Sequence, residues 1–309
     1  MGYVPAVLAL STRTAFVHIG THKTGTTSLQ GGMVRYRAWF ARQGLYYPEA
    51  GRGRHTGHHN LSWELTGDER YRSEDGNLAA LAAELKRESA PSVLVSSEDL
   101  ESLHGRPEQR AKLRETLEQS GYDVHVLCVL RHPADYVESL YAELQKHGLS
   151  LSLGEFVAQA VVGDGITFRQ WDFRLDYRQL MSGYAETFGA QAVHTLPYDV
   201  LDSPGAVLAE VARLRGTPLV PIRHWGRLNA RPRTEAIPTW PERLKHPIAC
   251  RCGNGEGYGT DGPLDGARLT AGQRAALVQH FADAVGLAER GGTGRDRTPG
   301  AAELSDWHA

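Results

Sequence analysis

The sequence predicts an α/β fold of three layers, in which helices flank both faces of a central parallel sheet. Short apolar runs alternate with segments of helical periodicity, a spacing that favours parallel strands joined by helices. The apolar runs stop abruptly at polar residues, and in such folds ligands bind beyond the carboxyl ends of the strands. A chain of 309 residues with 41% hydrophobic content can bury such a core in one large domain.

The first predicted element is a short buried strand over residues 14–19, TAFVHI, which leads directly into a glycine-containing loop. We expect a helix to follow, with Thr26 or Thr27 as its cap. The apolar face of this helix consists of residues at helical spacing, namely Leu29, Met33, Tyr36 and Phe40. The polar stretch at residues 51–60, GRGRHTGHHN, is predicted to be a loop.

The alternation of strands and helices continues to about residue 199. Helices are expected over residues 77–87, 107–120, 134–146 and 177–187. Strands are expected over residues 92–95, 124–130 and 192–196, of which VHVLCVL at 124–130 is the clearest. We assign residues 1–290 to one domain and expect residues 291–309, which lack periodicity, to be a disordered tail.

The composition excludes several classes of function. A formal net charge of −2 gives no general attraction to nucleic acid or to an anionic membrane. The three cysteines, Cys128, Cys250 and Cys252, cannot form a disulfide framework, which suits a reducing cytoplasm. The apolar residues 4–10 lack a basic flank and are too few to span a bilayer, so neither a signal peptide nor a membrane anchor is expected.

The loop after the first strand, GTHKTGTTS at residues 20–28, has the glycine spacing of a phosphate-binding loop. Gly20 and Gly25 are separated by four residues, which lets successive backbone N–H groups converge on a phosphate at a helix N-terminus. Only five of the 34 cationic residues of the chain are lysines, so Lys23 within this loop is distinctive. We therefore predict an anion site here and call residues 20–28 the phosphate loop.

The phosphate loop departs from the nucleoside-triphosphate type in the position of its lysine. That type has Lys directly before the Ser or Thr that holds magnesium, whereas Thr26 occupies this place and Lys23 lies three residues earlier. The predicted strands also do not end in a magnesium-holding acid, and Asp199 is a loose candidate at most. A phosphate-like donor neutralised by protein cations is favoured, with a metal-dependent phosphotransferase as the alternative.

Two motifs carry a resemblance to a known family. HIGTHKTGTTSLQ at residues 18–30 resembles the 5′-phosphosulfate-binding loop of sulfotransferases that use 3′-phosphoadenylyl sulfate, PAPS. RHPADYVESLY at residues 131–141 resembles their 3′-phosphate-binding segment, whose Arg and Ser correspond to Arg131 and Ser139. The resemblance covers these motifs and the order of elements between them, and it implies the P-loop-like sulfotransferase fold.

The resemblance also implies which residues bind and activate the donor. Lys23 would stabilise the negative charge that grows on the bridging oxygen as the nucleotide leaves. Arg131 and Ser139 would bind the 3′-phosphate. The 5′-phosphate and the sulfonate would be bound by the loop residues His22, Lys23, Thr24, Gly25, Thr26, Thr27 and Ser28. No metal is expected.

An acceptor hydroxyl must lose its proton to a general base. Glu98 is the first choice because it follows a strand end and resembles the carboxylate base of carbohydrate-type family members; a capping or ion-paired acid is an equal interpretation. The cytosolic small-molecule branch of the family uses a histidine instead. His55, His58 and His59 offer that alternative, with His59 preferred because the pair His59-Asn60 resembles a pattern in bacterial members.

Three other features have weaker interpretations. The histidines of residues 55–59 and the pair Cys250 and Cys252 match no standard zinc spacing. The glycine-rich segment 253–262 is predicted to be a flexible loop, with a role as an active-site lid left open. Aromatic residues for stacking on adenine or the acceptor are available, although core packing is the commoner use of such side chains: Trp171, Tyr198 and Trp225.

The sequence therefore predicts a cytoplasmic, PAPS-dependent sulfotransferase that transfers a sulfonate to a hydroxyl of a carbohydrate or small-molecule acceptor and releases PAP. No nucleic-acid partner and no membrane insertion are expected. The alternatives are a P-loop-type phosphotransferase and a non-catalytic nucleotide-binding protein of the same fold. The acceptor, the choice of base and the oligomeric state are left open.

Overall fold

A computed structural model describes residues 13–169, 171–198, 203–220, 222, 268–283 and 285–286. The strands are β1 (Arg13–His18), β2 (Leu45–Tyr46), β3 (Ser92–Ser96), β4 (Tyr122–Leu130), β5 (Gly165–Phe168), β6 (Trp171–Arg174) and β7 (Val193–Pro197). Five of them form a central sheet in the order β2-β3-β1-β4-β7, while β5 and β6 form a separate antiparallel pair.

All neighbouring strands of the central sheet are parallel, and β1 lies between β3 and β4. In this register Val17 of β1 is paired with Val95 of β3 and with Val126 of β4. After β1 the chain forms the edge strand β2 and then β3 on one side of β1, and it adds β4 and β7 on the other side. The crevice between the carboxyl ends of β1 and β4 is thus the point where the strand order reverses, which is where such sheets bind ligands.

Helices cover both faces of this sheet. They are α1 (Thr26–Arg35), α2 (Arg37–Arg42), α3 (His59–Thr66), α4 (Leu78–Arg87), α5 (Pro107–Glu118), α6 (Pro133–Lys146), α7 (Leu153–Val162), α8 (Tyr177–Phe188), α9 (Ser203–Leu214) and α10 (Ala271–His280). A longer 3₁₀ helix, Glu98–Leu103, follows β3 directly.

Two buried hydrophobic clusters, one on each face of the sheet, establish the three layers. Phe16 of β1 packs in the cluster that contains residues of α1, α2 and α9. Its neighbours Ala15 and Val17 pack in the other cluster, with residues of α3 to α8 and α10. This alternation follows from the two-residue period of a strand that is buried on both faces. The predicted three-layer α/β fold with a parallel sheet is confirmed.

The structure differs from the sequence prediction at the first helix. The predicted cap, Thr26 or Thr27, is wrong: both residues lie inside α1, and Gly25 occupies the cap position with φ of 82°. Glycine adopts this left-handed conformation without steric cost, so the chain turns from loop to helix at Gly25 itself. The single predicted helix is also broken in two, because Tyr36, with φ of −111°, leaves the helical region between α1 and α2.

Several predicted features lie outside the described residues. These are the tail at 291–309, the glycine-rich segment 253–262, the apolar opening at 4–10, and Asp199, Trp225, Cys250 and Cys252. None of the helices in the described ranges combines the length and apolar character needed to cross a membrane.

Candidate active site

The phosphate loop connects β1 to α1 at the crevice in the centre of the sheet. Lys23 has φ of 64° and Gly25 has φ of 82°, so two left-handed residues enclose Thr24. Backbone turns of this kind bring successive N–H groups into an anion-binding concavity. Gly20 at the start of the loop has no room for a side chain, because a Cβ atom there would lie 2.7 Å from Nε2 of His18.

The first turn of α1 has the character of an anion site. No side chain among the described residues caps this helix, and its first turn carries no acidic residue. The first N–H groups of a helix have no partner within the helix, so those at Thr26 and Thr27 point out of its N-terminus. The Thr27 side chain is exposed, whereas Thr26 and Ser28 are buried. The hydroxyl of Thr24 is buried and donates to the carbonyl of Thr21 at 2.5 Å. Thr24 would therefore contact a ligand through its main-chain N–H group.

Arg131 reaches the phosphate loop from the end of β4. Its Nη1 donates to the carbonyl oxygen of Lys23 at 2.8 Å, and its guanidinium carbon lies 4.9 Å from the centre of the Tyr198 ring. Its Nε is buried and has no hydrogen-bond partner among the described residues. A buried charged donor without a partner is costly, so this side chain is suited to receive an anion.

Ser139 is the seventh residue of α6 and lies about 9 Å along the helix axis from the start of the helix. Its side chain is 7% exposed. Glu143 follows four residues later, so it shares the helix face of Ser139. The Glu143 carboxylate accepts a hydrogen bond from Nζ of Lys23 at 2.9 Å, which brings this face of α6 to the phosphate loop.

The ion pair between Lys23 and Glu143 is half-buried. Burial alone would raise the pKa of the Glu143 carboxyl group, but its hydrogen bonds to Lys23 and Lys146 outweigh burial and lower that pKa to about 2. The lysine of the phosphate loop thus has a carboxylate partner that the sequence analysis did not identify. The i to i+4 spacing from Ser139 to Glu143 is the sequence signal that would have indicated it.

The two candidate bases lie side by side. Glu98 is the first residue of the 3₁₀ helix after β3, and its Oε2 accepts from Nε2 of Gln30 on α1 at 2.9 Å. Nδ1 of His59, at the start of α3, lies 4.0 Å from the same carboxylate oxygen and 2.9 Å from Oγ of Ser97. Burial acts to raise the pKa of Glu98, but the nearby His59 and His22 outweigh it and lower that pKa.

His22 of the phosphate loop lies between the carboxylates of Asp99 and Glu101. Its Nε2 lies 3.2 Å from Asp99, and its Nδ1 lies 3.3 Å from Glu101, which also accepts from the His22 main-chain N–H at 3.1 Å. Burial opposes protonation, but the two carboxylates outweigh it and raise the pKa of His22 to about 10. His22 was predicted to contact the donor. In the structure, however, its main-chain N–H and both ring nitrogens already interact with the carboxylates of Asp99 and Glu101.

The remaining histidines of the predicted loop have other surroundings. His58 is fully buried between the carbonyl of Pro48 and the backbone of Ser96, and burial lowers its pKa to about 3. His55 contacts the edge of the Trp63 ring. Within the described ranges the structure contains no cluster of three or more residues able to hold a metal ion.

A cleft of about 530 Å³ opens beside the phosphate loop. Its floor contains His22, Asp99 and Glu101, whereas the Glu98 side chain contacts Gln30 and His59. Trp171, one of the aromatic residues considered for stacking, lines a wall of this cleft. Tyr198, another of them, packs against Arg131 instead. The cleft meets the phosphate loop at His22.

Comparisons with known proteins support the fold. A scan against protein-family models gives no match, and a search of curated proteins gives none either. Among solved structures, the chain is similar to a sulfotransferase from Alicyclobacillus acidocaldarius, with a TM-score of 0.51 and 18% sequence identity. The match covers 96% of this chain and 99% of that one. The likeness extends over almost the whole chain, and it establishes a sulfotransferase-like fold.

Proposed function

We propose that this protein transfers the sulfonate group of PAPS to a hydroxyl group of an acceptor and releases PAP. The observation that carries the proposal is the 2.8 Å hydrogen bond from Arg131 to the main chain of Lys23. It joins the two sequence motifs at the crevice where the strand order of the sheet reverses. A 5′-phosphosulfate site and a 3′-phosphate site must adjoin in this way, because one nucleotide carries both groups.

The phosphate loop would bind the 5′ end of the donor through the backbone N–H groups at Lys23 to Thr27 and through the N-terminus of α1. Arg131 and Ser139 would bind the 3′-phosphate. For Arg131, the buried Nε without a partner supports this role, since a phosphate oxygen would complete its hydrogen bonding. For Ser139, support comes from its place on the face of α6 that meets the loop.

In the reaction, the acceptor oxygen forms a bond to sulfur while the bond from sulfur to the bridging oxygen of PAPS breaks. Negative charge develops on that bridging oxygen, and the ammonium group of Lys23 would stabilise it. Lys23 must exchange its partner Glu143 for the donor before it can do so. The acceptor proton would pass to Glu98, whose lowered pKa keeps it ionised, or to the adjacent His59.

Calorimetric titration with PAP, ADP and ATP–magnesium tests the proposal. PAP should bind at least about ten-fold more tightly than ADP, because the 3′-phosphate adds charge-assisted hydrogen bonds from Arg131. The substitution Arg131→Ala should reduce the affinity for PAP to about that for ADP. The matched control is Arg114→Ala, which removes an exposed arginine of α5 that pairs with Glu118.

Each outcome separates the candidate functions. A preference for ATP–magnesium over PAP would contradict the proposal and support a phosphotransferase. Tight binding of PAP without transfer to any hydroxyl acceptor would support a non-catalytic nucleotide-binding protein instead.

A further inference from the structure

The cleft beside the phosphate loop is enclosed by three segments of the chain. One wall is the end of α3 with the turn that follows, residues 62–70, and another is β6, residues 171–174. The third wall and part of the floor come from residues 99–106. Its volume of about 530 Å³ lies within the range of small-molecule sites, about 300 to 1,000 Å³.

The cleft adjoins the groups to which the proposed function gives a chemical role. His22 and Asp99 line its floor, and they are the sequence neighbours of Lys23 and Glu98. Nδ1 of the candidate base His59 lies 3.6 Å from Oδ2 of Asp99, and its ring is stacked on that of Trp63 with centroids 5.9 Å apart, so the lining of the cleft contacts this base directly. A hydroxyl group bound at this end of the cleft therefore lies between the phosphate loop, at His22, and a candidate base.

The polar lining of the cleft contains groups of both charges in nearly equal number. Its carboxylates come from all three walls: Asp68, Glu69, Asp99, Glu101 and Asp172. Its cations are likewise distributed, and they are Arg70, Arg106, Arg174 and the protonated His22. These opposite charges nearly cancel, so the lining offers no net electrostatic attraction that would offset the desolvation of an anionic or a cationic ligand.

The charged groups are also arranged in pairs. Arg70 donates to both oxygens of Asp68, at 2.9 and 2.6 Å, and Arg174 donates to Asp172 at 3.1 Å. Nε of Arg174 is buried and has no partner among the described residues. A hydroxyl group both donates and accepts hydrogen bonds, so a ring with several hydroxyls can contact a carboxylate and its guanidinium partner together.

One aromatic side chain in the cleft offers exposed apolar surface. Trp63 and Phe173 are 7% and 3% exposed and belong to the packed wall, whereas Trp171 is only partly buried. The Trp171 ring is stacked parallel to Phe168, with centroids 6.2 Å apart, and this contact supports its orientation. Trp combines a large apolar surface with a polar N–H, which suits a ligand that has both C–H and hydroxyl faces.

From these observations we infer that the cleft between α3, residues 99–106 and β6 binds the acceptor, and that the acceptor is a neutral polyhydroxylated ring such as an uncharged sugar. The inference rests on the proposed sulfonate transfer, because it identifies the cleft as the acceptor side of that reaction. Trp171 contacts the apolar face of the ring, and the ion pairs of Asp68 and Asp172 bind its hydroxyls.

The test uses three 4-nitrophenyl β-glycosides with radiolabelled PAPS: the neutral glucoside, the anionic glucuronide and the cationic 2-amino-2-deoxyglucoside. The neutral glucoside should have a kcat/KM at least about ten-fold above those of both charged glycosides, because a charged ligand would be desolvated in a lining that offers it no net opposite charge. Trp171→Ala should raise the KM for the glucoside about five- to ten-fold and leave the affinity for PAP unchanged. The matched control is Trp39→Ala, an exposed tryptophan of α2.

A second variant is needed because removing the Trp171 ring also removes its packing against Phe168. Asp172→Asn removes one charge from a partly exposed carboxylate, and it should raise the KM for the glucoside about three-fold with an unchanged melting temperature. A preference for a charged glycoside, transfer to none of the three, or an unchanged KM in both variants would overturn the inference. Since PAP binding is measured separately, its absence from the wild-type protein would instead overturn the proposed sulfonate transfer.

Discussion

The proposed donor and acceptor sides of the candidate site are built in different ways. The donor side consists of the phosphate loop and the junction of β4 with α6, so its residues come from two short segments that follow neighbouring strands. It offers backbone N–H groups and the cations Lys23 and Arg131. The cleft instead collects side chains of both charges from three segments that are distant in sequence.

The difference bears on how each proposed ligand would be recognised. A phosphate group can be bound by the main chain of one loop and one helix end, so a local sequence motif is sufficient to specify it. Recognition of the acceptor depends on which side chains the folded chain brings together. Variants on the two sides should therefore change different measurements, and the following predictions test that division.

Lys23→Ala should have the largest effect. We expect kcat to fall by about 10²- to 10³-fold, because the charge on the leaving oxygen loses its stabilising group. The KM for the acceptor and the affinity for PAP should change less than about three-fold. Radiolabelled sulfonate transfer and calorimetry measure these quantities.

Lys112→Ala, at an exposed position of α5, is the control for Lys23→Ala and should leave kcat unchanged. Ordinary turnover in the Lys23 variant would contradict the assigned mechanism. A large increase in the KM for the acceptor would instead show that Lys23 also contributes to acceptor binding, contrary to the proposed separation of the two sides.

His22→Gln should affect both sides, because His22 links the phosphate loop to the floor of the cleft. The substitution removes the imidazolium that contacts both Asp99 and Glu101, while Asp99 keeps its hydrogen bond from Trp63, and it should cost about 3 kcal/mol of unfolding free energy at pH 6. The control is His280→Gln, which breaks an exposed ion pair with Asp164.

The contribution of His22 should depend on pH in a defined direction. Its pKa in the folded protein, about 10, lies above its ordinary value of 6.5, so the stabilisation is complete below pH 6.5 and is lost as the pH rises towards 10. Denaturant unfolding of the wild type and the variant at pH 6, 8 and 10 should show a difference that shrinks with pH. A constant difference would show that His22 acts through packing alone.

Glu143→Gln should have the smallest effect and the opposite sign. The substitution removes a carboxylate that competes with the donor for Lys23, so the affinity for PAP should increase about three- to five-fold. The acceptor KM should not change. Glu115→Gln, on the exposed side of α5, is the control, and an unchanged or weaker affinity for PAP in the Glu143 variant would contradict this account.

Much of the fold was predictable because the central strands are long apolar runs. β1, β3, β4 and β7 were predicted to within two residues at each end. β2, with two residues, is too short to give a pattern. α3 was predicted as loop in part, since it begins inside a glycine- and histidine-rich stretch. Its stability comes from tertiary contacts, such as the 2.7 Å hydrogen bond from Trp63 to Asp99.

The candidate site was predictable to the extent that it is local. The contact of Arg131 with the phosphate loop agrees with the expected adjacency of the two motifs. Glu143 was missed because its i to i+4 spacing from Ser139 becomes informative only when this face of α6 is known to meet the phosphate loop. The cleft was missed because its walls come together only after the chain has folded. No sequence motif indicates, for example, that the guanidinium carbon of Arg70 lies 5.7 Å from the centre of the Trp171 ring.

The backbone at Lys23 has a consequence for how this position evolves. Its φ of 64° is comfortable for glycine and costs a residue with a side chain about 1 to 2 kcal/mol. The role proposed for the ammonium group, however, requires a lysine at this place in the loop. Backbone stability and the proposed chemistry therefore favour different amino acids at this one position.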